Sequence, residues 1–394
     1  MIARYRPNFG LLELLSAWRF SAGRGAATHD AETLLKAHFG LDHVELCPSG
    51  RGALRLILRA LPAPFNEGRI VIPAYTCSAV VEAAKLAGRE VLAVEHAPGQ
   101  INLSAADLQG ILRHGDVVIA THQYGYPCDI ASIVAVAQAA GAVVVEDIAA
   151  ALGATVHGRP VGTFGLASFG SFDASKLLHV PPKGGFIVTR DASIAALLKL
   201  QAKTDLSPFS TLDKTRVLLA AAMLVLATHP AIYRLFYALN FRLRRRLTAE
   251  DGCISTQPNN YYCKAFGDWQ AAILLPQLRD LRAVLKRRTA VHQAYRQGVN
   301  ETIRFKVEVM SVEQPGAVIR FPLYAKGNKA ELHRALIRHG VDTGFSFTTI
   351  VAQPEAYNAW SIAGSVLNLP SSSRMTDREV ERVVHAVRMV AAAP

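Results

Sequence analysis

The chain has 394 residues, 51% of them hydrophobic, and carries a formal charge of +12. That apolar content excludes a disordered chain and predicts one large domain with a smaller companion. The positive balance points to an anionic partner such as a nucleotide, a phosphate group or an acidic membrane surface, and the absence of a recognition motif argues against nucleic acid.

Near the N-terminus Glu13 interrupts a short apolar patch, and no small-residue cleavage site follows, so no signal peptide is expected. In "CPSGRGALRLILRAL" (Cys47–Leu61), Ser49, Gly50 and Gly52 precede a strong helical pattern. "RIVIP" (Arg69–Pro73) predicts a strand, "CSAVVEAAKLAG" (Cys77–Gly88) a helix and "EVLAVE" (Glu90–Glu95) a strand. "SAADLQGILR" (Ser104–Arg113) opens a helix, with Ser104 three residues before Asp107. "DVVIAT" (Asp116–Thr121), "DIASIVAVAQAAG" (Asp129–Gly141) and "AVVVED" (Ala142–Asp147) then read as strand, helix and buried strand. "ASFGSF" and "GGFIVTR" predict two more strands that flank a stretch holding Lys176 and Lys183. Strands alternating with helices predict βαβ units and a mostly parallel sheet, whose sites lie at strand carboxyl ends.

Beyond Asp191 the pattern turns helical. An apolar run covers Val217–Leu239 and is followed by Arg242, Arg244, Arg245 and Arg246. Gln270–Arg296 predicts one long helix or two broken at Pro276. Ala317–Ala325 reads as a strand, and Lys329–Gly340 and Thr376–Val390 as helices. The expected division is a large domain over 1–270 and a small α+β domain over 271–394. Five cysteines, Cys47, Cys77, Cys128, Cys253 and Cys263, form no C-x-x-C pair. Neither a disulfide framework nor a metal site is expected, and a reducing cytoplasm fits.

Three features carry chemistry. Asp147 ends an apolar strand, where an unpaired carboxylate is costly. It is either a capping or salt-bridged residue or a carboxylate facing a cation in a cleft. The Ser49–Gly52 turn is either an ordinary helix cap or a phosphate seat, because glycines admit a ligand close to the backbone and a helix N-terminus favours anions. A lysine near both would suit pyridoxal phosphate (PLP): the lysine binds the aldehyde, the aspartate holds the pyridinium proton and the helix end takes the phosphate.

The ordered set "SGRGAL", "VIPAYTCSAVVEAAKLAG", "HQYGYPCDI", "VVVEDIAAALGA", "GTFGLASFGSFDASK" and "KGGFIVT" resembles the DegT/StrS-type sugar-nucleotide aminotransferase family. The likeness covers roughly residues 32–188 and resumes at "GDWQAAILLPQL" and "VLNLPSSSRMTDREVERVV". It implies an α/β, aspartate-aminotransferase-like PLP fold: a large domain with a mostly parallel seven-stranded sheet and a small C-terminal α+β domain. Ser171, Phe172 and Lys176 match the family's S-F-x-x-x-K, which makes Lys176 the Schiff-base lysine and places Ser171 near the cofactor phosphate. Lys183 falls where the family has the glutamate of G-E-G-G. Asp147 matches the pyridine-contacting aspartate of E-D-x-A. Gly50, Arg51 and Gly52 match the stretch whose backbone N–H groups hold phosphate. His122 matches H-x-Y-G and is either a cofactor-side residue or a satisfied core histidine.

The sequence departs from the pattern in three places. Ala150 replaces a glutamine or histidine that touches the cofactor. Cys77 stands where an aromatic ring often stacks. The family's N-Y-R-M segment falls near Cys263–Phe266 without matching, with Asn259 and Asn260 close enough to substitute. The expected function is transfer of an amino group, from glutamate or glutamine, to a keto sugar nucleotide by a cytoplasmic homodimer. Rival readings are a non-catalytic binding or regulatory protein, and an aminotransferase for a cyclitol or lipid-linked ketone. A sugar dehydratase, which carries histidine at the lysine position, is disfavoured by Lys176. Residues 217–246 are either a helix in the dimer core or a hairpin in peripheral contact with the inner face of the membrane.

Overall fold

Short β-branched runs that bury both faces make the centre of the molecule. The computed structural model describes residues 1–20, 25–244, 263–299, 302, 304–306, 318–345 and 356–392, with the side chains of 240–244 excepted. After α1 (Leu11–Arg19) and α2 (Ala26–Phe39) come β1 (His43–Cys47), α3 (Gly50–Ala60), β2 (Ile70–Pro73), α4 (Ser78–Leu86) and β3 (Val91–Val94). Then follow α5 (Ala105–Leu108), β4 (Val117–Thr121), α6 (Ile130–Ala139) and β5 (Val143–Asp147). A two-stranded ribbon, β6 (Thr155–Val156) and β7 (Arg159–Pro160), leads to β8 (Ala167–Ser171) and β9 (Gly185–Thr189). The seven long strands form one sheet in the order β1-β9-β8-β5-β4-β2-β3. β3, β2, β4, β5 and β8 are mutually parallel, and β9 runs against both of its neighbours.

Alternation along the strands sorts the core into two layers, as the period of two requires. Ile70, Ile72, Val117, Ile119 and Val145 pack on α3 and α4 through Leu54, Ile57 and Val81. Val71, Val118, Ala120 and Val144 face the other way, onto Ile130, Ile133 and Ala137 of α6. Ser104 caps α5 with Asp107 as expected, but that helix stops after one turn, before Gly110 with φ 76°.

The chain continues through α7 (Ala192–Asp205), α8 (Thr211–Ala227), α9 (Tyr233–Arg244), α10 (Asp268–Arg279) and α11 (Leu281–Gly298). A second sheet, β10 (Phe305–Lys306), β11 (Phe321–Ala325) and β12 (Val366–Leu369), is fully antiparallel. It packs with α11, α12 (Lys329–Arg338) and α14 (Asp377–Ala392), while α13 (Tyr357–Ser365) leads into β12. Pro276 does not break its helix. It sits inside α10, where the Gln277 amide donates to the carbonyls of Ile273 (2.8 Å) and His179 (2.9 Å), and the break comes at Asp280 instead.

The expected division at 270/271 falls inside α10. Ala271, Leu274 and Leu278 of that helix pack with α2 in the large-sheet cluster, whereas Val291 and Tyr295 of α11 join the small-sheet core. The N-terminal residues also cross over. Ile2 bridges Val341 and is buried in the small-sheet core, and Arg6 pairs with Glu379 of α14 at 2.5 Å.

Two buried histidines make stability depend on pH. Burial lowers His179 and His292 to about 4, with Asp173 opposing the shift at His179 and Arg296 adding to it at His292. Tyr126 Oη lies 2.7 Å from His292 Nε2 and donates to it when the ring is neutral. Between pH about 6.5 and about 4 the unfolded chain binds protons that these two folded rings refuse, so their contribution to stability is lost as pH drops through that window, while Glu45, raised to about 7 by burial, works in the opposite direction. Each ring adds at most about 1.4 kcal/mol per pH unit. Across it, the urea midpoint of His292→Gln should fall less than that of the wild type. An identical pH dependence in the two proteins would mean that His292 titrates normally in the folded protein.

Candidate active site

The parallel strands bring their carboxyl ends to one edge of the sheet. Register across β4, β5 and β8 pairs Thr121 with Asp147 and Asp147 with Phe169. A second row pairs Cys47 with Gly185 and Gly185 with Ser171. The turn after β1, the end of β5 and the loop after β8 are therefore neighbours, although residues 47 to 176 separate them in the chain.

Asp147 is buried, and its Oδ1 accepts the Ala149 N–H at 2.9 Å. Burial pushes its carboxyl up, against the charges of Lys176 and His122 and the Ala149 N–H. Lys176 is half-buried in the loop after β8, its backbone N–H held by the Asp173 carbonyl at 2.9 Å. Lys183 takes a different carboxylate: its Nζ lies 3.6 Å from Asp173 Oδ2. Burial raises Asp173, but Lys183, Lys176 and His179 together hold it below its ordinary value. The two lysines are thus distinguished by their surroundings, with Lys176 shared between Asp147 and Asp173.

Ser49 caps α3 and its Oγ accepts the Gly52 N–H at 3.0 Å. The other first-turn N–H groups of a helix have no intrahelical acceptor. The Arg51 guanidinium pairs with Glu82 of α4, so the side chain is directed to the neighbouring helix. Glycines let this turn sit on the sheet edge. A Cβ on Gly50 would lie 3.0 Å from Ser171 Cβ, and one on Gly185 would lie 2.5 Å from the Ser49 carbonyl carbon. Ser171 Oγ accepts the Asp173 N–H at 3.3 Å, and a hydroxyl in that role still has a proton to donate. Thr76, next to Cys77 at the end of β2, has a buried Oγ1 with no partner in the described chain. Cys77 is half-buried at the cap of α4.

His122 is fully enclosed. Its Nδ1 accepts the Cys128 N–H at 3.1 Å, and its Nε2 lies 3.3 Å from Glu146. Glu146 also accepts the N–H groups of Gly162, Phe164 and Gly165 at 2.7–2.8 Å. Burial would raise this carboxyl, but His122 and these amides hold it down. Ala150 is half-buried against the large-sheet cluster. Within Cys263–Phe266, Cys263 and Ala265 pair with Ser207 by backbone, and the Phe266 ring lies 6.5 Å from that of Phe172. Asn259 and Asn260 lie outside the described residues, as do Cys253, Arg245 and Arg246.

Several contributors escaped the sequence reading. Asp173 between the two lysines is one. The Tyr75–Tyr124 hydroxyl pair (2.5 Å) is another: it ties the ends of β2 and β4 together, with Tyr124 at φ 57°. The doubled aromatic in "QYGY" was the available signal. A cavity of about 250 Å³ adjoins the lysine loop, lined by Arg4, Tyr5, Asp173, Ser175, Arg320 and Asn368 among others. A larger cavity of about 460 Å³ lies on the small domain around α12, remote from Lys176 and Asp147.

This arrangement meets an independent finding. The model of the DegT/DnrJ/EryC1/StrS aminotransferase family matches residues 12–211 and 259–388. The chain belongs to that family. The family model passes over residues 212–258, which contain most of α8 and all of α9. A family relative, the UDP-N-acetyl-3-dehydro-α-D-glucosamine 3-aminotransferase of Acidithiobacillus ferrooxidans, is 33% identical over 48% of this chain and 51% of its own. A GDP-perosamine synthase of Caulobacter vibrioides is 30% identical over 49% and 51%. These matches span about half the length of each relative. The crystal structure of the aminotransferase TlmJ from Streptoalloteichus hindustanus superposes with a TM-score of 0.77 over 100% of this chain and 99% of that one, at 22% identity. That likeness shows the fold, which is the expected α/β one.

The close approach of β9 to the Ser49 turn is testable. Gly185→Ala should cost roughly 1–3 kcal/mol in urea denaturation, because backbone must shift. Gly364→Ala, in α13 where an added Cβ meets nothing within 4 Å, should be neutral or stabilise by about 0.5–1 kcal/mol. Equal effects at the two positions would remove the steric argument.

Proposed function

We propose that this chain is a PLP-dependent aminotransferase that transfers an amino group, from glutamate or glutamine, to a keto sugar carried on a nucleotide. The observation that carries the reading is the convergence of Lys176, Asp147 and the α3 N-terminus on one sheet edge.

The residues fit PLP on three counts. Asp147 is a buried carboxyl whose charge needs a cation, as a pyridinium N–H would supply. The glycine-lined turn brings helix N–H groups and Ser171 together as an anion seat. Thr76 Oγ1 is a buried polar atom in want of a partner. When bound, PLP supplies an electron sink for a carbanion at the donor's α-carbon.

The protein's own groups do the rest. Lys176 would hold the cofactor through its Nζ and, once the donor's amine has displaced it, the free Nζ would take the proton from the donor's α-carbon as a base and return one as an acid. Asp147 keeps a proton on the ring nitrogen. Gly50 and Arg51 would offer their backbone N–H groups to the phosphate and Ser171 its hydroxyl, while the Gly52 N–H is taken by the Ser49 cap and its missing side chain keeps the turn open. Lys183 and Asp173 pair at the rim and set the local charge around Lys176. His122, held between Cys128 and Glu146, supports the end of β4 beside Asp147. Cys77 presents a small, polarisable face at the end of β2 in place of an aromatic ring. Arg4 and Arg320 line the adjoining cavity and give it the charge that a nucleotide diphosphate requires. The protein works as a homodimer in the cytoplasm, with sites completed at the subunit interface.

Borohydride treatment of the holoprotein followed by peptide mapping should place the pyridoxyl label on Lys176. A label on Lys183 would overturn the assignment. Asp147→Asn should retain the fold and lose on the order of 10²–10³-fold in the rate of the glutamate half-reaction, because the ring nitrogen loses its charge partner. Near-normal turnover would take Asp147 out of the mechanism. Mass spectrometry of keto sugar nucleotides incubated with holoprotein and donor should show the ketone converted to an amine. A holoprotein that accepts donor but aminates none of them would exclude the nucleotide-linked substrate. Sedimentation should give a dimer at assay concentration, and a fully active monomer would refute the shared site.

A further inference from the structure

α8 is apolar on both of its sides. Val217, Leu218 and Ala221 pack into a cluster with Leu14 and Ala17 of α1 and Trp269 and Ile273 of α10. The opposite side exposes Leu212, Leu219, Met223 and Leu226, each more than half accessible. Their spacing makes one stripe of helical period. Leu235, Phe236 and Leu239 of α9 are exposed as well, as is Ile232 just before it. α1 adds Leu11, Leu12, Leu15 and Trp18. A continuous row of large exposed apolar side chains along one side of α8 marks an interaction site rather than scattered exposure.

The face is fastened to the body. Ser210 caps α8 through the Asp213 N–H, and Tyr233 Oη donates to Asp342 Oδ2 at 2.5 Å. The hairpin also lies in the stretch that the family model passes over, so the shared fold does not account for it.

Charge selects the occupant. From Lys214 to Thr248 the sequence holds no Asp or Glu, but it holds Lys214, Arg216, Arg234, Arg242, Arg244, Arg245 and Arg246. A two-fold axis through this segment would set its cations against one another, with only Asp213 of α8 and Glu13 of α1 as acids on the same helices. No helix among the described residues is long and apolar enough to cross a membrane. A surface that takes apolar side chains shallowly and meets cations with anions is an acidic lipid bilayer.

We propose that the outward sides of α1, α8 and α9 dock on an anionic membrane surface, with the leucines, Met223, Phe236 and Trp18 entering the headgroup boundary and the exposed Arg216 and Arg234 meeting lipid phosphates. This inference does not depend on the aminotransferase reading, since it uses none of the site residues.

Full-length holoprotein should float with vesicles of phosphatidylcholine mixed with phosphatidylglycerol at low salt, and leave them as salt rises. It should bind pure phosphatidylcholine far less. The exposed triple variant Leu219→Ser, Met223→Ser, Leu226→Ser and the double variant Arg216→Gln, Arg234→Gln should each weaken partitioning by about tenfold or more. The circular dichroism and cofactor spectrum should be unchanged, because these side chains are on the surface. Absence of flotation with either vesicle at low salt overturns the proposal. So does binding that neither variant weakens, or a wild type that ignores vesicles and loses an oligomeric contact in the triple variant, which assigns the face to a second copy. If flotation holds while no ketone is aminated, the functional reading fails alone.

Discussion

Asp147 sits at the end of β5 with its carboxyl out of water, where burial favours the neutral acid and the Lys176 charge favours the anion. Nothing in β5 itself resolves this competition. The strand is apolar because it lies between two layers of helices, and the same burial that stabilises the sheet leaves its last residue short of solvation. A cation delivered to this edge is therefore worth more than it would be in water. The loop after β8 brings one in Lys176, and the pyridinium nitrogen of the proposed cofactor would bring another.

The proposed anion seat answers to the same edge. α3 can start against β8 and β9 only because Gly50 and Gly185 carry no side chain at the contact. Its first turn then lies against Ser171, the last residue of β8 before the lysine loop. Behind them Glu146 takes three backbone amides and His122, which holds the chain between β7 and β8 against the end of β4. Adjacent residues in "ED" thus divide the work: Glu146 is satisfied inward by its own backbone, and Asp147 is left for the cleft.

The family frame accounts for both sheets and for the packing of α2 and α10. It leaves the α8–α9 hairpin aside. The excess of positive charge has two destinations in the proposals made for this protein. Arg4 and Arg320 line the cavity beside the lysine loop, and the exposed Arg216 and Arg234 stand on α8 and α9 with their exposed apolar side chains. If both proposals hold, the first would serve the substrate and the second the place at a membrane surface.

Period and capping made much of the architecture legible from the chain alone. The β-branched runs at 70–73, 117–121 and 143–147 and the caps at Ser49, Ser104 and Asp129 became the strands and helix starts that local chemistry predicts. The order of motifs was enough for the family, because glycine, aspartate and lysine at those intervals have few other uses. β1, α13 and β12 were not legible, since short runs such as "HVELC" lack a pattern until a partner strand covers them. Chain order also misled where packing decided: Ile2 belongs to the small sheet and α10 to the large one, because burial rewards the nearest apolar surface and not the nearest residue in sequence. Which lysine meets Asp147 and which meets Asp173, and which side of α8 meets water, depend on strand register and helix packing between distant segments. Those contacts exist only once the sheet has formed.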